Sequence, residues 1–209
     1  MIRFSLFGIP VQVQPFFWIT LALIGGALRA DSPERILFTA LFVLAGFISV
    51  LVHELGHALT ARRFGAYTEI VLQAFGGYAS YTGVSMSRTQ TFLITAAGPA
   101  IQILLGLLVW LLIPLLPVLN PNMYFFLDRL FVISIFWAVL NLLPVLPLDG
   151  GQMLNSILGP QRIHITLWTT IIVAVFLAIL MLKHTNSFLF PIFLGFFAFQ
   201  AWKALQETR

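Results

Sequence analysis

Val52-His53-Glu54-Leu55-Gly56-His57 falls inside a long apolar segment, and how these six residues are read decides the arrangement of the whole chain. Three ionisable side chains in hydrocarbon cost several kcal/mol or more unless something compensates for them. Two histidines at i and i+4 lie one turn apart on one helix face, so His53 and His57 can both direct a ring nitrogen at one zinc ion. Glu54, between them, is then close enough to take a proton from an attacking water. Ordinary helix packing, with the imidazoles hydrogen bonded and Glu54 neutralised by a base, is the competing explanation. Histidine occurs only four times in the chain, and a chance His-Glu-x-x-His within a spanning segment is correspondingly rare.

The setting of that segment follows from composition. Of 209 residues, 60% are hydrophobic and 9% charged, whereas a soluble domain carries about 25% charged residues. A spanning helix needs roughly 20 mostly apolar residues to cross about 30 Å of hydrocarbon. Apolar helices are predicted at about 15–30, 36–64, 90–118, 124–146, 164–183 and 187–205, which makes six crossings. Residues 2–14 alternate and contain a Gly8-Ile9-Pro10 turn, which predicts a β-hairpin. The stretch from Ala66 to Tyr81, rich in β-branched and aromatic residues, predicts two further strands. The expected fold class is therefore a membrane all-α protein with a small β element: about six transmembrane helices and a membrane-associated sheet of about four short strands. The chain is expected to form one polytopic domain over 1–209, with membrane-associated strands at 2–14 and 66–82.

Charge and cysteine content narrow the function classes. The net charge of +4 is explained by topology rather than by nucleic acid, which is not expected as a partner. With both termini cytoplasmic, that face carries Arg3, Arg62, Arg63, Arg88, Arg162, Lys203 and Arg209, against Arg29, Arg35, Arg129 and Lys183 opposite. The expected location is the cell membrane, crossed several times. There is no cysteine, which excludes disulfides, thiolate ligands and a cysteine nucleophile. The N-terminus does not resemble a cleavable signal, because its apolar stretch is broken by Gly8, Pro10 and Pro15.

A catalytic zinc usually takes three protein ligands and leaves a fourth position for water. Asp149 is the candidate third ligand. It follows the fourth predicted helix in Asn141-Leu142-Leu143-Pro144-Val145-Leu146-Pro147-Leu148-Asp149-Gly150-Gly151, where prolines and glycines break regular helix and can turn a carboxylate inward. Asp31, Glu34 and Glu207 fall in loops or at the terminus, Glu69 belongs to the strands, and Asp128 has Arg129 beside it.

On these residues the chain resembles the site-2 protease family of intramembrane zinc metalloproteases. His53-Glu54-Leu55-Gly56-His57 matches the family's metal-binding helix, and Leu148-Asp149-Gly150-Gly151 its third-ligand motif. The resemblance extends to Phe75-Gly76-Gly77, Ala97-Gly98-Pro99 and Asn141, and covers in effect the whole chain. It implies one zinc ion per chain, held by His53, His57 and Asp149, with Glu54 as catalytic base. It implies an endopeptidase that cuts transmembrane protein substrates within the lipid bilayer, in regulated intramembrane proteolysis. For Asn141 it implies contact with the substrate backbone or the oxyanion; an interhelical hydrogen bond explains that residue equally well. At Gln102 the chain departs from similar members, which usually have Asn, Ser or Gly there. The amide could reach the site or satisfy a helix contact, and Gln102 is placed outside the catalytic set.

Two other function classes fit a zinc-binding membrane chain. A transporter should spread polar residues along several helices, yet here they cluster at one depth. A catalytically dead scaffold should have lost a ligand or the base, and neither is missing. The family's inserted PDZ and appended CBS domains are not expected, since only about 25 residues separate the second and third helices and a domain needs about 50. A homo-oligomer is left open.

Overall fold

The computed structural model describes residues 1–74, 76–116, 120–184 and 188–208. Phe75 of the strand turn, the last residues of the helix predicted to 118, the first of the helix predicted from 187, and Arg209 of the charge count lie outside them. The elements run β1 (Ile2–Leu6), β2 (Ile9–Val13), α1 (Pro15–Ile24), α2 (Pro33–Arg63), β3 (Tyr67–Gln73), β4 (Gly76–Thr82), α3 (Arg88–Leu112), α4 (Pro121–Asn141), α5 (Asp149–Leu158), α6 (Ile163–His184) and α7 (Leu189–Glu207). They group into two compact units, one of residues 1–85 with 97–139 and one of residues 86–96 with 140–209.

In the first unit, the four strands form one sheet in the order β1-β2-β3-β4. The β2–β3 pair is parallel, with Val11 opposite Ile70 and Val13 opposite Leu72, and both flanking pairs are antiparallel. Strand alternation sends Ile9, Val11 and Val13 of β2 and Thr68, Ile70 and Leu72 of β3 to the buried face. There the apolar ones pack on Phe17 of α1 and on Val50, Leu51, Leu55 and Ala58 of α2. The sheet is thereby seated against the half of α2 that carries the histidines. The hairpin turn is not at Gly8-Ile9-Pro10 as the sequence predicts. It is the two-residue loop Phe7-Gly8, whose φ values of 52° and 73° give the left-handed pair that a tight hairpin of matching twist requires. Pro10 is accommodated inside β2 because the β3 ladder starts only at Val11. Arg62 donates to the Phe7 carbonyl, tying this turn to the end of α2.

Helix α2 begins with Ser32, which accepts from the Arg35 N–H, followed by Pro33 and Glu34, and ends with Arg62 and Arg63. Each choice suits its end of the helix dipole. Its 31 residues rise about 46 Å, more than the hydrocarbon thickness. The buried stripe Ala45, Ser49, His53, His57 and Ala61 recurs every four residues, with Gly46, Val50, Glu54 and Ala58 beside it. Small residues on that stripe let neighbouring backbones come close. A Cβ on Gly56 would lie 2.6 Å from the Ala97 carbonyl oxygen of α3, and one on Gly106 would lie 2.7 Å from Ile135 of α4.

In the second unit, α6 and α7 pack through Ala174, Leu194 and Ala198, with Val145 from the preceding loop, and through Leu167, Ala201 and Leu205. Arg88, at the start of α3, donates to the carbonyls of Ser156 and Ile157 at the end of α5. A cation satisfying terminal carbonyls complements the negative end of that helix.

Four described helical stretches are long and apolar enough to cross a membrane: Pro33–Arg63, Arg88–Leu115, Pro121–Asn141 and Pro160–His184. Large side chains such as Trp110, Ile172 and Phe176 remain exposed on them, as befits surfaces solvated by lipid. Two of the six predicted crossings are not in that set. Helix α1, predicted over 15–30, is 10 residues long and rises only about 15 Å; Gly25 and Gly26 follow it, Gly26 with a φ of 93°. Helix α7 carries Gln200, Lys203, Gln206 and Glu207 in its last turns. Helix α5 was not predicted at all. Its first turn holds Gly150 and Gly151, the weakest helix formers after proline.

Candidate metal centre

The site begins on α2 in the first unit. His53, Glu54 and His57 are all buried, and the i, i+4 relation sets the two imidazoles at 4.7 Å between ring centroids and 83° to each other. Their Nε2 atoms approach to 3.0 Å. Two nitrogens bound to one tetrahedral zinc at about 2.0–2.1 Å would be separated by about 3.3 Å. The pair therefore fits two positions of a tetrahedral zinc with only a few tenths of an ångström of adjustment.

Three neighbours explain how the rings are held there. Gly98 of α3 lies against His57 so closely that an added Cβ would fall 2.3 Å from its Cε1 and Nε2. Gly77, at the start of β4, presses likewise on Glu54, where a Cβ would stand 2.8 Å from Cγ and 2.9 Å from Oε1. Gln102, fully buried, puts its Oε1 2.9 Å from His53 Nδ1. Its Nε2 donates to Ser49 Oγ at 2.9 Å and to the Ser49 carbonyl at 3.3 Å. Ser134 of α4 in turn donates to Ser49 Oγ at 3.0 Å. The sequence reading left Gln102 outside the site and did not single out Ser49, Ser134 or the fit of Gly98 and Gly77. A signal for Ser49 was available, since it lies one turn before His53 on the same stripe. For Ser134 there was only its polarity within an apolar helix.

Asp149 belongs to the second unit, where it is the buried first residue of α5. Its position follows from a folded-back loop. Leu148 N–H donates to the Val145 carbonyl at 2.8 Å, Val145 N–H to Leu143 at 2.7 Å, and Leu146 N–H to Thr170 Oγ1 at 3.0 Å. The loop crosses so tightly over the helix start that a Cβ on Gly150 would meet the Leu142 carbonyl oxygen at 2.1 Å and one on Gly151 the Leu146 nitrogen at 2.5 Å. Glycine is required at both positions by close approach, and Asp149 is the carboxylate set by this packing. Asn141 ends α4 and is half-buried.

Comparison with known proteins gives the site its family. The model of peptidase family M50 matches residues 41–123 and 117–183, and the chain belongs to that family. It is 31% identical over 159 residues to a zinc metalloprotease of Methanocaldococcus jannaschii, covering 76% of this chain and 45% of that protein. It is 30% identical over 155 residues to stage IV sporulation protein FB of Bacillus subtilis, covering 72% of this chain and 48% of that one. The chain thus spans a little under half the length of these curated relatives. Among solved structures it is similar to the site-2 protease from Methanocaldococcus jannaschii, with a TM-score of 0.68 and 26% identity over 98% of this chain and 94% of that one.

Proposed function

We propose that this membrane protein is a zinc-dependent intramembrane endopeptidase, with His53, His57 and Asp149 as ligands of one zinc ion and Glu54 as general base. The observation that carries the reading is the buried pair of imidazole nitrogens 3.0 Å apart, with the buried Glu54 between the two histidines in sequence, on a helix long and apolar enough to span a bilayer. Two imidazoles and a carboxylate are a ligand set used by catalytic zinc in hydrolases. When bound, zinc supplies a Lewis acid that polarises the scissile carbonyl and eases deprotonation of water.

The chain's own groups do the rest. Glu54, one residue from His53, accepts the proton of the attacking water and returns it to the leaving amine. Glycine at position 77 leaves its carboxylate the space it occupies, since a Cβ there would stand 2.8 Å from Glu54 Cγ and 2.9 Å from Oε1. Asn141 is assigned to the substrate backbone or the oxyanion. The substrates are transmembrane proteins, cut in regulated intramembrane proteolysis by a multi-pass enzyme with both termini cytoplasmic. A transmembrane helix hides its carbonyls in i to i+4 bonds, so it must unwind before attack, which favours Gly, Pro or Asn near the cut.

Unwound peptide needs a partner for its freed backbone groups. Strand β4 ends the sheet order, and its first residues press on Glu54, so a peptide added along that edge would pass beside the base. Proline scanned through Tyr78–Tyr81 should slow cleavage or move the cut at outward-facing amides while leaving bound zinc unchanged. Unaltered rate and cut site across the whole scan would exclude the edge as the docking surface.

The reading is tested with purified protein and a model transmembrane peptide. Cleavage should stop with a zinc chelator and return on adding zinc. His57→Ala and Asp149→Ala should each lower the zinc bound per chain. Metal content equal to wild type would remove the altered residue from the ligand set, and chelator-resistant cleavage would overturn the zinc mechanism.

A further inference from the structure

The polar side chains of Ser134, Ser49 and Gln102 form a line that ends on His53, and a main-chain carbonyl beside it fixes which way the Gln102 amide faces. The Ser49 main-chain carbonyl can only accept, so the Gln102 atom 3.3 Å from it must be the amide nitrogen. The same nitrogen donates to Ser49 Oγ at 2.9 Å, an oxygen that also accepts from Ser134 at 3.0 Å. With its nitrogen turned to α2's Ser49, Gln102 presents its oxygen to His53 Nδ1 at 2.9 Å. An amide oxygen cannot donate, so His53 Nδ1 must carry the hydrogen. A neutral imidazole has one N–H, and Nε2 is left with its lone pair.

We infer that Gln102 is a positioning residue that holds His53 in its Nδ1–H tautomer and aims the Nε2 lone pair at the metal position. The inference rests on the proposed role of His53 as a zinc ligand. Ser49, Gln102 and Ser134 are each 0% exposed, so no solvent competes for these bonds. The line also joins three helices, α2, α3 and α4, so the azimuth of the His53 ring is tied to their mutual register. The length of glutamine matters. An amide one methylene shorter would be withdrawn by about 1.5 Å, beyond hydrogen-bond range of one or both partners. Hydrogen-bond partners of this kind are worth about 10–100-fold in metal affinity.

Gln102→Met keeps the shape and removes the acceptor. It should weaken zinc binding about 10–100-fold in chelator competition. In the metal-stripped full chain, the ring ¹⁵N shifts of His53 should report Nδ1–H in the wild type and a move towards Nε2–H in the variant. Ser49→Ala removes the hydroxyl but keeps the main-chain carbonyl that orients the Gln102 amide, so it should leave His53 as Nδ1–H. The wild-type shifts carry the test if Gln102→Met does not fold. A wild-type His53 protonated at Nε2 would overturn the inference, as would a tautomer and zinc affinity unmoved by Gln102→Met, or a tautomer reversed by Ser49→Ala. A wild-type chain that holds His53 as Nδ1–H yet takes up no zinc would uphold the tautomer assignment and overturn the zinc reading instead.

Discussion

Glu54→Gln protein is expected to bind a full equivalent of zinc and to cleave a transmembrane peptide roughly 10²–10⁴-fold more slowly than wild type, the range a positioned general base contributes. The two properties separate because they reside on different groups. The metal is assigned to His53, His57 and Asp149, whereas Glu54 supplies only a proton acceptor. Glutamine is nearly isosteric with glutamate, so contacts at Gly77, where Glu54 Oε1 would stand 2.9 Å from an added Cβ, are little disturbed. The amide cannot accept and return a proton. Single-turnover cleavage and metal content on the same preparation check the expectation. Wild-type turnover by zinc-loaded Glu54→Gln protein would show that the base is elsewhere.

Gly98→Ala should lower zinc affinity and slow cleavage on the order of 10²-fold, the rate penalty commonly attached to about 1 Å of misplacement in a reacting constellation. The added methyl would stand 2.3 Å from His57 Nε2, far inside any contact distance. Relief requires the imidazole to rotate away or α3 to retreat from α2. Retreat is resisted by the neighbouring contact, because Gly56 already brings α2 against the Ala97 backbone; overpacking of this sort typically costs about 1–3 kcal/mol. Either way Nε2 leaves its place beside His53. Zinc titration of the purified variant decides the matter, and unchanged affinity would mean that His57 binds through a ring placement other than the one seen here.

The two predictions differ in how far they could be made without coordinates. The role proposed for Glu54 is legible because it depends on spacing along one helix, where 3.6 residues per turn turn sequence offset into direction. The role of Gly98 depends on which helix lies against which, and no offset along the chain states that His57 faces a residue 41 positions later. The same distinction holds for Gln102. As a deviation from a family pattern it was ambiguous between helix packing and the site; hydrogen bonds to Ser49 and His53, on a different helix, resolve its contact.

The fold shows the same boundary. Alternation of buried and exposed residues in β2 and β3, and the long apolar periods of α2, α3, α4 and α6, are local properties, and they are present in the sequence as written. Helix α5 was missed because Asp149-Gly150-Gly151 has the composition of a turn. The segment is helical with the loop from Leu142 to Leu148 folded back onto it, and that close approach leaves space only for glycine at 150 and 151. The short α1 and the position of the hairpin turn likewise depended on neighbours rather than on composition.

What the amino-acid sequence determined by itself was the solvent of this protein, the helix that bears the histidine pair, and the residue types able to serve as ligands and base. Each depends on apolar content or on periodicity along one segment. Only tertiary structure decided how the His53 ring is oriented, why Gly98 and Gly77 must lack side chains, and what turns the Asp149 segment into a helix. Those outcomes come from contacts between segments far apart in the chain, where close packing leaves space for particular atoms and excludes others.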